Sequence, residues 1–222
     1  MEMSPEAVDQ IIEQLLPHIR SERWERIEEV VAKRTLKVIP VLENIYDRGN
    51  TSAVMRSAEA FGYSEFHIIE NPETRFKTAN RVTRGTDKWL DIYKFHSTKE
   101  CVAGLKQRGF KIYATHLKAT TSIDALDFSQ AVAVVLGNEK NGISEEMAAS
   151  CDGTFKVPMY GFAQSFNISV AAALCFYRIH QMREQQLGPQ GDLDEHGKRS
   201  LLAWYLFKTI GQADKILTRK GL

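Results

Sequence analysis

A run of six apolar residues, AVAVVL at positions 131–136, constrains the fold more than any other part of the chain. Its length and its β-branched valines are typical of a strand. A strand without a polar face must be covered on both sides, as strands are in parallel sheets flanked by helices. The run therefore predicts a central strand of a parallel sheet.

Strand-like and helix-like segments alternate around this run. Further strands are predicted at residues 37–43, 65–70, 111–115 and 154–158. Helices are predicted at residues 50–61, 97–108, 144–150 and 166–186. In the first of these helices, Asn50 is the expected N-cap and Gly62 the residue that ends the helix. This alternation predicts an α/β domain with a mainly parallel sheet flanked by helices.

Helical patterns also occupy both ends of the chain. Residues 1–36 have apolar positions at helical spacing that are interrupted by Pro17, which predicts two short amphipathic helices. Residues 198–219 carry another apolar stripe after the turn-rich sequence LGPQGDLDEHG. We therefore expect an N-terminal helical extension at 1–36, the α/β domain at 37–186 and a C-terminal helical extension at 187–222.

The charge of the chain is balanced overall but unevenly distributed. The 29 basic and 28 acidic residues give a formal net charge of +1, whereas nucleic-acid-binding proteins usually carry a basic excess. Residues 71–118, however, contain 11 basic and 4 acidic residues, interleaved with aromatic and amide side chains. Such a block suits either a solvated surface or a surface that binds a polyanion.

The sequence also lacks the signals of several protein classes. No stretch approaches the roughly 20 apolar residues that span a bilayer, and the acidic N-terminus lacks the basic region of a signal peptide. Three cysteines without CxxC spacing give neither a disulfide framework nor a zinc site. There is no GxGxxG and no GxxxxGK[ST] loop. We expect a cytoplasmic protein with no membrane partner and no metal.

Three polar loops follow predicted strands: NIYDRGNTSAVMR at 44–56, LGNEKNGIS at 136–144 and VPMYGFAQSFNIS at 157–169. Open parallel sheets bind ligands at the carboxyl ends of their strands. Taken singly, the first loop also suits a helix cap followed by a surface arginine, and the second suits an exposed turn. The third loop places several hydrogen-bonding side chains beside an apolar helix, which indicates specific partners.

Four stretches carry a resemblance to a known family: LENIYDRGNTSAVMRSAEAFG, RGTDKWLDI, VVLGNEKNGISEE and VPMYGFAQSFNISVAAAL. In this order, over about residues 36–185, they resemble the SpoU/TrmH family of SPOUT RNA 2′-O-methyltransferases, and most closely its tRNA guanosine-18 enzymes. The resemblance implies a C-terminal deep trefoil knot, S-adenosyl-L-methionine as methyl donor, tRNA as substrate and a homodimer. It makes the alanine-rich face of helix 166–186 and the apolar helix 198–219 candidate dimer surfaces.

The resemblance also implies which residues form the site. Its catalytic positions match Arg56, Asn50, Glu139, Ser165 and Asn167. Its cofactor-lining positions match Thr115, Leu117, Gly137, Val157, Met159 and Phe166. Its RNA-contacting basic positions match Arg81, Arg84 and Lys88. The chain departs from the pattern at Gly49, where the family often has a histidine.

Arg56 is the residue that the resemblance nominates to activate the ribose hydroxyl. Since arginine is protonated at any working pH, either the pocket perturbs it enough to act as a base, or it stays cationic and stabilises the developing alkoxide. Lowering its pKa by about five pH units would cost about 7 kcal/mol, which favours the cationic role. Two alternatives stay open for the whole chain: methylation of another tRNA position or of rRNA, and a non-catalytic knotted RNA-binding module.

Overall fold

The structure, a computed structural model, describes residues 3–70, 85–188 and 191–219. The chain divides into two units. One comprises Met1–Thr35 together with Gln190–Leu222, and the other comprises Leu36–Pro189. The sheet lies in the second unit, and the first is helical.

All the named strands form one parallel sheet. The strands are β1 (Val38–Glu43), β2 (Glu65–Ile69), β3 (Asp91–Phe95), β4 (Lys111–Thr115), β5 (Val132–Leu136) and β6 (Gly153–Phe155). Their order across the sheet is β3-β2-β1-β5-β4-β6, and every neighbouring pair is parallel. Strand β5 pairs with β1 and β4, and all five of its residues are buried. The predicted central, parallel strand is therefore confirmed.

Helices cover both faces of the sheet. They are α3 (Arg48–Ala60), α4 (Thr98–Gln107), α5 (Glu145–Ser150) and α6 (Ile168–Leu187). On one face, Val54 and Phe176 from α3 and α6 pack with Leu42 of β1. On the other face, Leu105 and Met147 from α4 and α5 belong to a separate apolar cluster. The mainly parallel sheet flanked by helices, as predicted, is confirmed.

Two features of the sheet differ from the prediction. Strand β3 was not predicted, because DIYKF mixes charged and apolar residues and is only partly buried at the sheet edge. The last strand ends at Phe155 instead of Pro158. Because a proline has no backbone N–H, Pro158 could not donate a hydrogen bond to the sheet. A strand that ends before Pro158 therefore loses no such hydrogen bond.

The helix boundaries correct one predicted cap and confirm the residue predicted to end that helix. Helix α3 begins at Arg48 because Asp47 is its N-cap, with the Asp47 carboxylate accepting a hydrogen bond from the Gly49 N–H at 2.7 Å. Asn50 therefore lies inside the first turn and is not the cap. At the other end, Gly62 has a φ of +79°, as expected of the residue that ends a helix. Helix α6 begins at Ile168, two residues later than predicted, with Asn167 as its N-cap.

The helical unit consists of α1 (Pro5–Leu15), α2 (Ser21–Val31), α7 (Glu195–Thr209) and α8 (Ala213–Arg219). The two helices predicted within residues 1–36 are confirmed, whereas the single helix predicted at 198–219 is two helices. Val8 and Leu15 of α1 form one core with Leu206 and Leu217. The apolar stripe of α7 and α8, expected as a candidate dimer surface, thus packs largely inside this unit.

None of the helices in the described ranges is both long enough and apolar enough to cross a bilayer.

Candidate active site

The three polar loops follow β1, β5 and β6 and lie at the carboxyl edge of the sheet. Strands β1 and β5 are hydrogen-bonded neighbours, so their loops leave the sheet side by side. The loop after β6 leads into α6, which packs against α3, the helix that follows the first loop. The sheet order therefore brings together segments that are far apart in the sequence.

Three of the five expected catalytic residues form one hydrogen-bonded cluster. The Nδ2 of Asn50 donates to Oε1 of Glu139 at 2.8 Å. The Nδ2 of Asn167 donates to Oδ1 of Asn50 at 3.2 Å. The amide of Asn50 thus uses both its donor and its acceptor, and it links the loop after β5 to the start of α6.

The cap of α6 explains how Asn167 is oriented. Its Oδ1 accepts from the Ser169 backbone N–H at 2.8 Å and from the Ser169 hydroxyl at 2.6 Å. Since one end of the amide faces its own helix, the other end is available to Asn50. A capping role and a site role are therefore combined in one side chain.

Arg56 and Ser165 lie outside this cluster. Arg56 is exposed on α3, and its guanidinium has no ion-pair or hydrogen-bond partner among the described residues. Ser165 is likewise exposed in the loop that precedes α6 and hydrogen-bonds to no described residue. Both groups are accordingly open to a ligand that approaches this edge.

The loop between β5 and α5 folds back tightly on itself. A Cβ atom at Gly137 would lie 2.2 Å from the carbonyl carbon of Gly142, so only glycine fits there. The backbones of Asn138 and Gly142 are joined by two hydrogen bonds, in which each N–H donates to the carbonyl of the other residue at 2.9 and 2.8 Å. Asn138 is buried, and its Nδ2 donates to the Asn44 carbonyl at 2.8 Å, whereas Lys140 is exposed.

Sequence reasoning missed Glu43, the last residue of β1. Its carboxylate is 1% exposed and accepts hydrogen bonds from Thr98 and Ser144. A glutamate at the end of an apolar strand is the available signal, because a buried carboxylate requires partners. The sequence does not identify those partners, since they lie 55 and 101 residues away.

The six expected cofactor-lining residues all lie at or beyond the carboxyl ends of three adjacent strands, β5, β4 and β6. Thr115 is the last residue of β4, and its hydroxyl donates to the Val135 carbonyl at 3.2 Å. Leu117 is 62% exposed and Phe166 is 40% exposed. Val157 and Met159 are half-buried, and Gly137 follows β5 directly. The edge thus offers backbone groups and accessible apolar side chains.

Of the three expected RNA contacts, Arg81 and Arg84 lie outside the described residues. Lys88 is exposed in a short 3-10 helix, Thr86–Trp89, that packs on α3. Its Nζ lies 4.3 Å from the centroid of the Trp89 ring. A cation and an aromatic ring therefore lie close to the helix that carries Arg56.

Helix α6 presents an apolar face to solvent. Val170, Leu174 and Tyr177 recur at helical spacing on it and are 47%, 40% and 52% exposed. Exposed apolar groups clustered in this way commonly mark interaction surfaces.

Two of the three cysteines, Cys101 and Cys175, are buried. Burial raises the pKa of both Cys101 and Cys175 to about 12, so neither thiol is a nucleophile near neutral pH. Across the ranges that the structure describes, no group of three or more His, Cys, Asp or Glu residues is arranged to hold a metal ion.

Comparison with known proteins identifies relatives of this chain. Residues 37–177 match the SpoU rRNA Methylase family. The chain is 38% identical over 162 residues to the tRNA (guanosine(18)-2′-O)-methyltransferase of Thermus thermophilus. This alignment covers 72% of this chain and 83% of that protein. It is 33% identical over 205 residues to the enzyme of the same name from Escherichia coli, covering 90% and 87%.

The fold has a solved counterpart as well. The A. aeolicus TrmH/SpoU tRNA modifying enzyme superimposes with a TM-score of 0.78 at 29% identity, covering 85% of this chain and 97% of that one. Both comparisons confirm the resemblance and the methyltransferase class that the four sequence stretches imply. The chain therefore belongs to the SpoU rRNA methylase family.

Proposed function

We propose that the protein is an S-adenosyl-L-methionine-dependent tRNA ribose 2′-O-methyltransferase that modifies guanosine 18 of the D-loop. The observation that carries the proposal is the Asn50–Glu139–Asn167 cluster at the carboxyl edge of the sheet. Relatives named for this reaction align with 72% and 90% of the chain, which supports guanosine 18 over other positions.

The carboxyl edge suits the proposed methyl donor. An adenosine with an amino-acid tail needs apolar surface for its base and backbone groups for its polar atoms. Leu117 and Phe166 supply accessible apolar surface, and Gly137 places peptide groups directly after β5. We assign binding of the donor to Thr115, Leu117, Gly137, Val157, Met159 and Phe166. When bound, S-adenosyl-L-methionine supplies the methyl group that an in-line displacement places on the ribose 2′-oxygen.

The chain's own residues have distinct roles in this proposal. Arg56 stays protonated and stabilises the negative charge that develops on the 2′-oxygen, while the hydroxyl proton leaves to solvent. Asn50 and Asn167 orient the ribose, and Glu139 fixes the amide of Asn50 through the 2.8 Å hydrogen bond. Ser165, exposed beside them, contacts the substrate.

The test is transfer of labelled methyl groups to unmodified tRNA, followed by mapping of the modified nucleotide. We expect 2′-O-methylguanosine at position 18. We also expect Arg56→Ala to lower turnover by about 100-fold or more, in line with the loss of one oxyanion-stabilising group, with little change in tRNA affinity. Arg26→Ala, which removes an exposed arginine from α2, is the control and keeps its turnover.

Other outcomes of this experiment are informative. Methylation of another tRNA position or of rRNA would change the substrate and keep the chemistry. If the protein neither binds S-adenosyl-L-methionine nor methylates RNA, a non-catalytic RNA-binding module is favoured. Near-normal turnover of Arg56→Ala would contradict the role of this residue.

We also propose that the protein is a homodimer through the exposed apolar face of α6. Val170, Leu174 and Tyr177 support this, because an unpaired stripe of this kind is costly in water. We expect Leu174→Glu to yield monomers in light scattering, whereas Gln185→Glu, at an exposed polar position of the same helix, stays dimeric. A Leu174→Glu variant that remains dimeric would contradict the proposed interface.

The basic block at residues 71–118, with Arg81, Arg84 and Lys88, is proposed to bind the tRNA backbone. Electrostatic binding of phosphates predicts that affinity falls steeply with salt. Lys88→Ala should reduce the slope of this salt dependence by about one. A tRNA affinity that does not change with salt would count against this surface.

Family membership further supports a C-terminal deep trefoil knot and a cytoplasmic location. We also propose that the α/β part at 37–186 carries the catalysis, with the segments 1–36 and 187–222 as helical extensions that belong to one unit. Pulling the two ends of the chain apart tests the knot, because a tightened knot keeps the extended chain shorter than its contour length. Full extension would contradict it.

A further inference from the structure

Glu43 is a buried carboxylate at the carboxyl edge with no role in the proposed chemistry. It is 1% exposed and accepts three hydrogen bonds. The Thr98 hydroxyl donates to Oε1 at 2.6 Å, the Ser144 hydroxyl donates to Oε1 at 2.7 Å, and the Ser144 N–H donates to Oε2 at 2.8 Å. Burying a carboxylate is costly unless its oxygens are well satisfied, so this arrangement requires an explanation.

The partners of Glu43 connect it to the loop that carries Glu139. Ser144 ends that loop and is also the N-cap of α5, where its hydroxyl accepts from the Met147 N–H at 3.0 Å. Thr98, in contrast, is the first residue of α4 and lies outside the loop. Two hydrogen bonds to Glu43 therefore anchor the loop, and one anchors a neighbouring helix.

The next residue along the chain anchors the other end of the same loop. Asn44 has a φ of +56°, and its carbonyl accepts from Nδ2 of Asn138 at 2.8 Å. Adjacent residues at the end of β1 thus hold both ends of the 138–144 loop. Between these two anchors, Glu139 extends to Asn50 at 2.8 Å.

We propose that Glu43 is a positioning residue for methyl transfer. By fixing Ser144, it sets the place of the 138–144 loop, and so it holds Glu139 against Asn50 and shapes the backbone beside Gly137. This inference rests on the proposed function for its catalytic consequence, whereas the loop placement itself is independent of the substrate. Loss of the anchor should lower both the affinity for S-adenosyl-L-methionine and the turnover, with unchanged tRNA affinity.

Matched variants separate this role from general stability. Glu43→Met removes both hydrogen bonds that anchor the loop, whereas Ser144→Ala removes the hydroxyl bond and keeps the bond from the Ser144 N–H. Thr98→Val deletes a hydrogen bond to the same carboxylate oxygen on the α4 side, with nearly the same shape. Ser97→Ala deletes an N-cap from α4, and it controls for the cap that Ser144→Ala also removes. Glu43→Gln is the conservative variant, since its amide oxygen can still accept the Ser144 N–H while its NH₂ group faces the two hydroxyls.

The measurements are calorimetric binding of S-adenosyl-L-methionine, tRNA binding and turnover, all far below the unfolding temperature. We expect Glu43→Met to bind the donor about tenfold more weakly and to lose turnover to a similar extent, and Ser144→Ala, which keeps one anchoring hydrogen bond, to lose about fivefold in both. We expect Thr98→Val and Ser97→Ala to stay within about twofold of the parent, and Glu43→Gln to recover most of the loss. Equal losses in Thr98→Val and Ser144→Ala, or parent-like binding in all variants, would overturn the proposal.

A crystal structure of Glu43→Met, which lacks both anchoring hydrogen bonds, keeps the inference separate from the proposed function. If the parent binds the donor but methylates no tRNA, the binding comparison still decides the role of Glu43. If the parent binds no donor, the proposed function fails, and the crystal structure of the variant decides the role of Glu43 instead. A broken Asn50–Glu139 hydrogen bond would support the positioning role, and an intact one would overturn it.

Discussion

Glu43 and Glu65 are buried carboxylates at opposite ends of neighbouring strands. Glu43 is the last residue of β1 and Glu65 is the first residue of β2, and they are 1% and 5% exposed. Neutral groups donate to Glu43, namely two hydroxyls and one backbone N–H. Glu65 faces a guanidinium, because Nη1 and Nη2 of Arg108 lie 2.6 and 2.7 Å from its two oxygens.

Glu65 also contacts a histidine of its own strand. The Nε2 of His67 lies 2.5 Å from its Oε1, and the Sγ of Cys101 lies 3.7 Å from Nδ1 of the same ring. Burial by itself would raise the pKa of Glu65, but hydrogen bonds from Arg108 and His67 outweigh it and lower this pKa to about 2. The negative charge at this end is thus compensated by a cation.

The difference between the two ends has a physical meaning. Partners of Glu65 come from β2 itself and from the end of α4, so this network ties secondary structure together. Two of the three hydrogen bonds to Glu43 come from a loop whose tip belongs to the site. Changes at the carboxyl edge should therefore affect function first, and changes at the amino edge should affect stability first.

The largest effect is expected for Gly137→Ala at the carboxyl edge. The new Cβ would lie 2.2 Å from the Gly142 carbonyl carbon and 2.3 Å from the Ile143 nitrogen, so the loop must open. We expect binding of S-adenosyl-L-methionine and methyl transfer to fall by roughly 100-fold or more, as mispositioning of this size can cost that factor. Gly104→Ala on α4, where nothing lies within 4 Å, is the control and should keep full activity. An active Gly137→Ala enzyme would show that the loop tolerates displacement.

The second effect, at the amino edge, should appear in stability alone. Glu65→Gln removes the charge that pairs with Arg108 and leaves a polar group of the same shape. We expect the free energy of unfolding to fall by about 2 kcal/mol, the order expected for hydrogen bonds to charged groups. Urea denaturation at pH 7 measures this loss, and turnover per folded molecule should be unchanged. A larger loss of turnover than of stability would mean that the two ends are coupled.

Acid should reveal the same contrast in the parent protein. Because the pKa of Glu65 is about 2 in the folded chain and near 4.5 ordinarily, its stabilising contribution is present above pH 4.5 and is lost as the pH falls towards 2. The stability difference between the parent and Glu65→Gln should accordingly shrink between pH 5 and pH 3, by about 2 kcal/mol. Denaturation curves at both pH values check this, and a difference that grows on acidification has the wrong sign.

The sequence predicts the fold best where burial is unambiguous. AVAVVL at 131–136 permits one interpretation, and β5 is indeed central and parallel. DIYKF gives no such signal, because β3 lies at the edge of the sheet and none of its residues is fully buried. Local capping is ambiguous for a similar reason: Asp47 and Asn50 both suit an N-cap, and only the distance from Asp47 to Gly49 decides between them.

The sequence predicts those site residues that match positions of the family's motifs. The resemblance identifies Asn50, Glu139 and Asn167, and the structure brings these three together. Their roles, like those of Arg56 and Ser165, remain predictions. Glu43 could not be predicted, because its importance depends on partners that only the sheet order brings to it.

The smallest effect, for Arg108→Lys, sharpens the contrast between an ionic and a neutral environment. Lysine keeps the positive charge but not the two parallel hydrogen bonds to Glu65, nor the planar group that lies 5.0 Å from the Phe110 ring centroid. The Arg108 side chain is 45% exposed, so water compensates part of the loss, and we expect a destabilisation of about 1 kcal/mol or less.

Urea denaturation at low and high salt is the measurement, with Glu65→Gln as the reference. If charge alone holds Glu65, Arg108→Lys will match the parent at low salt and weaken at high salt. If the geometry of the guanidinium matters, the loss will be present at both, and Glu65 will depend on directed hydrogen bonds just as Glu43 does.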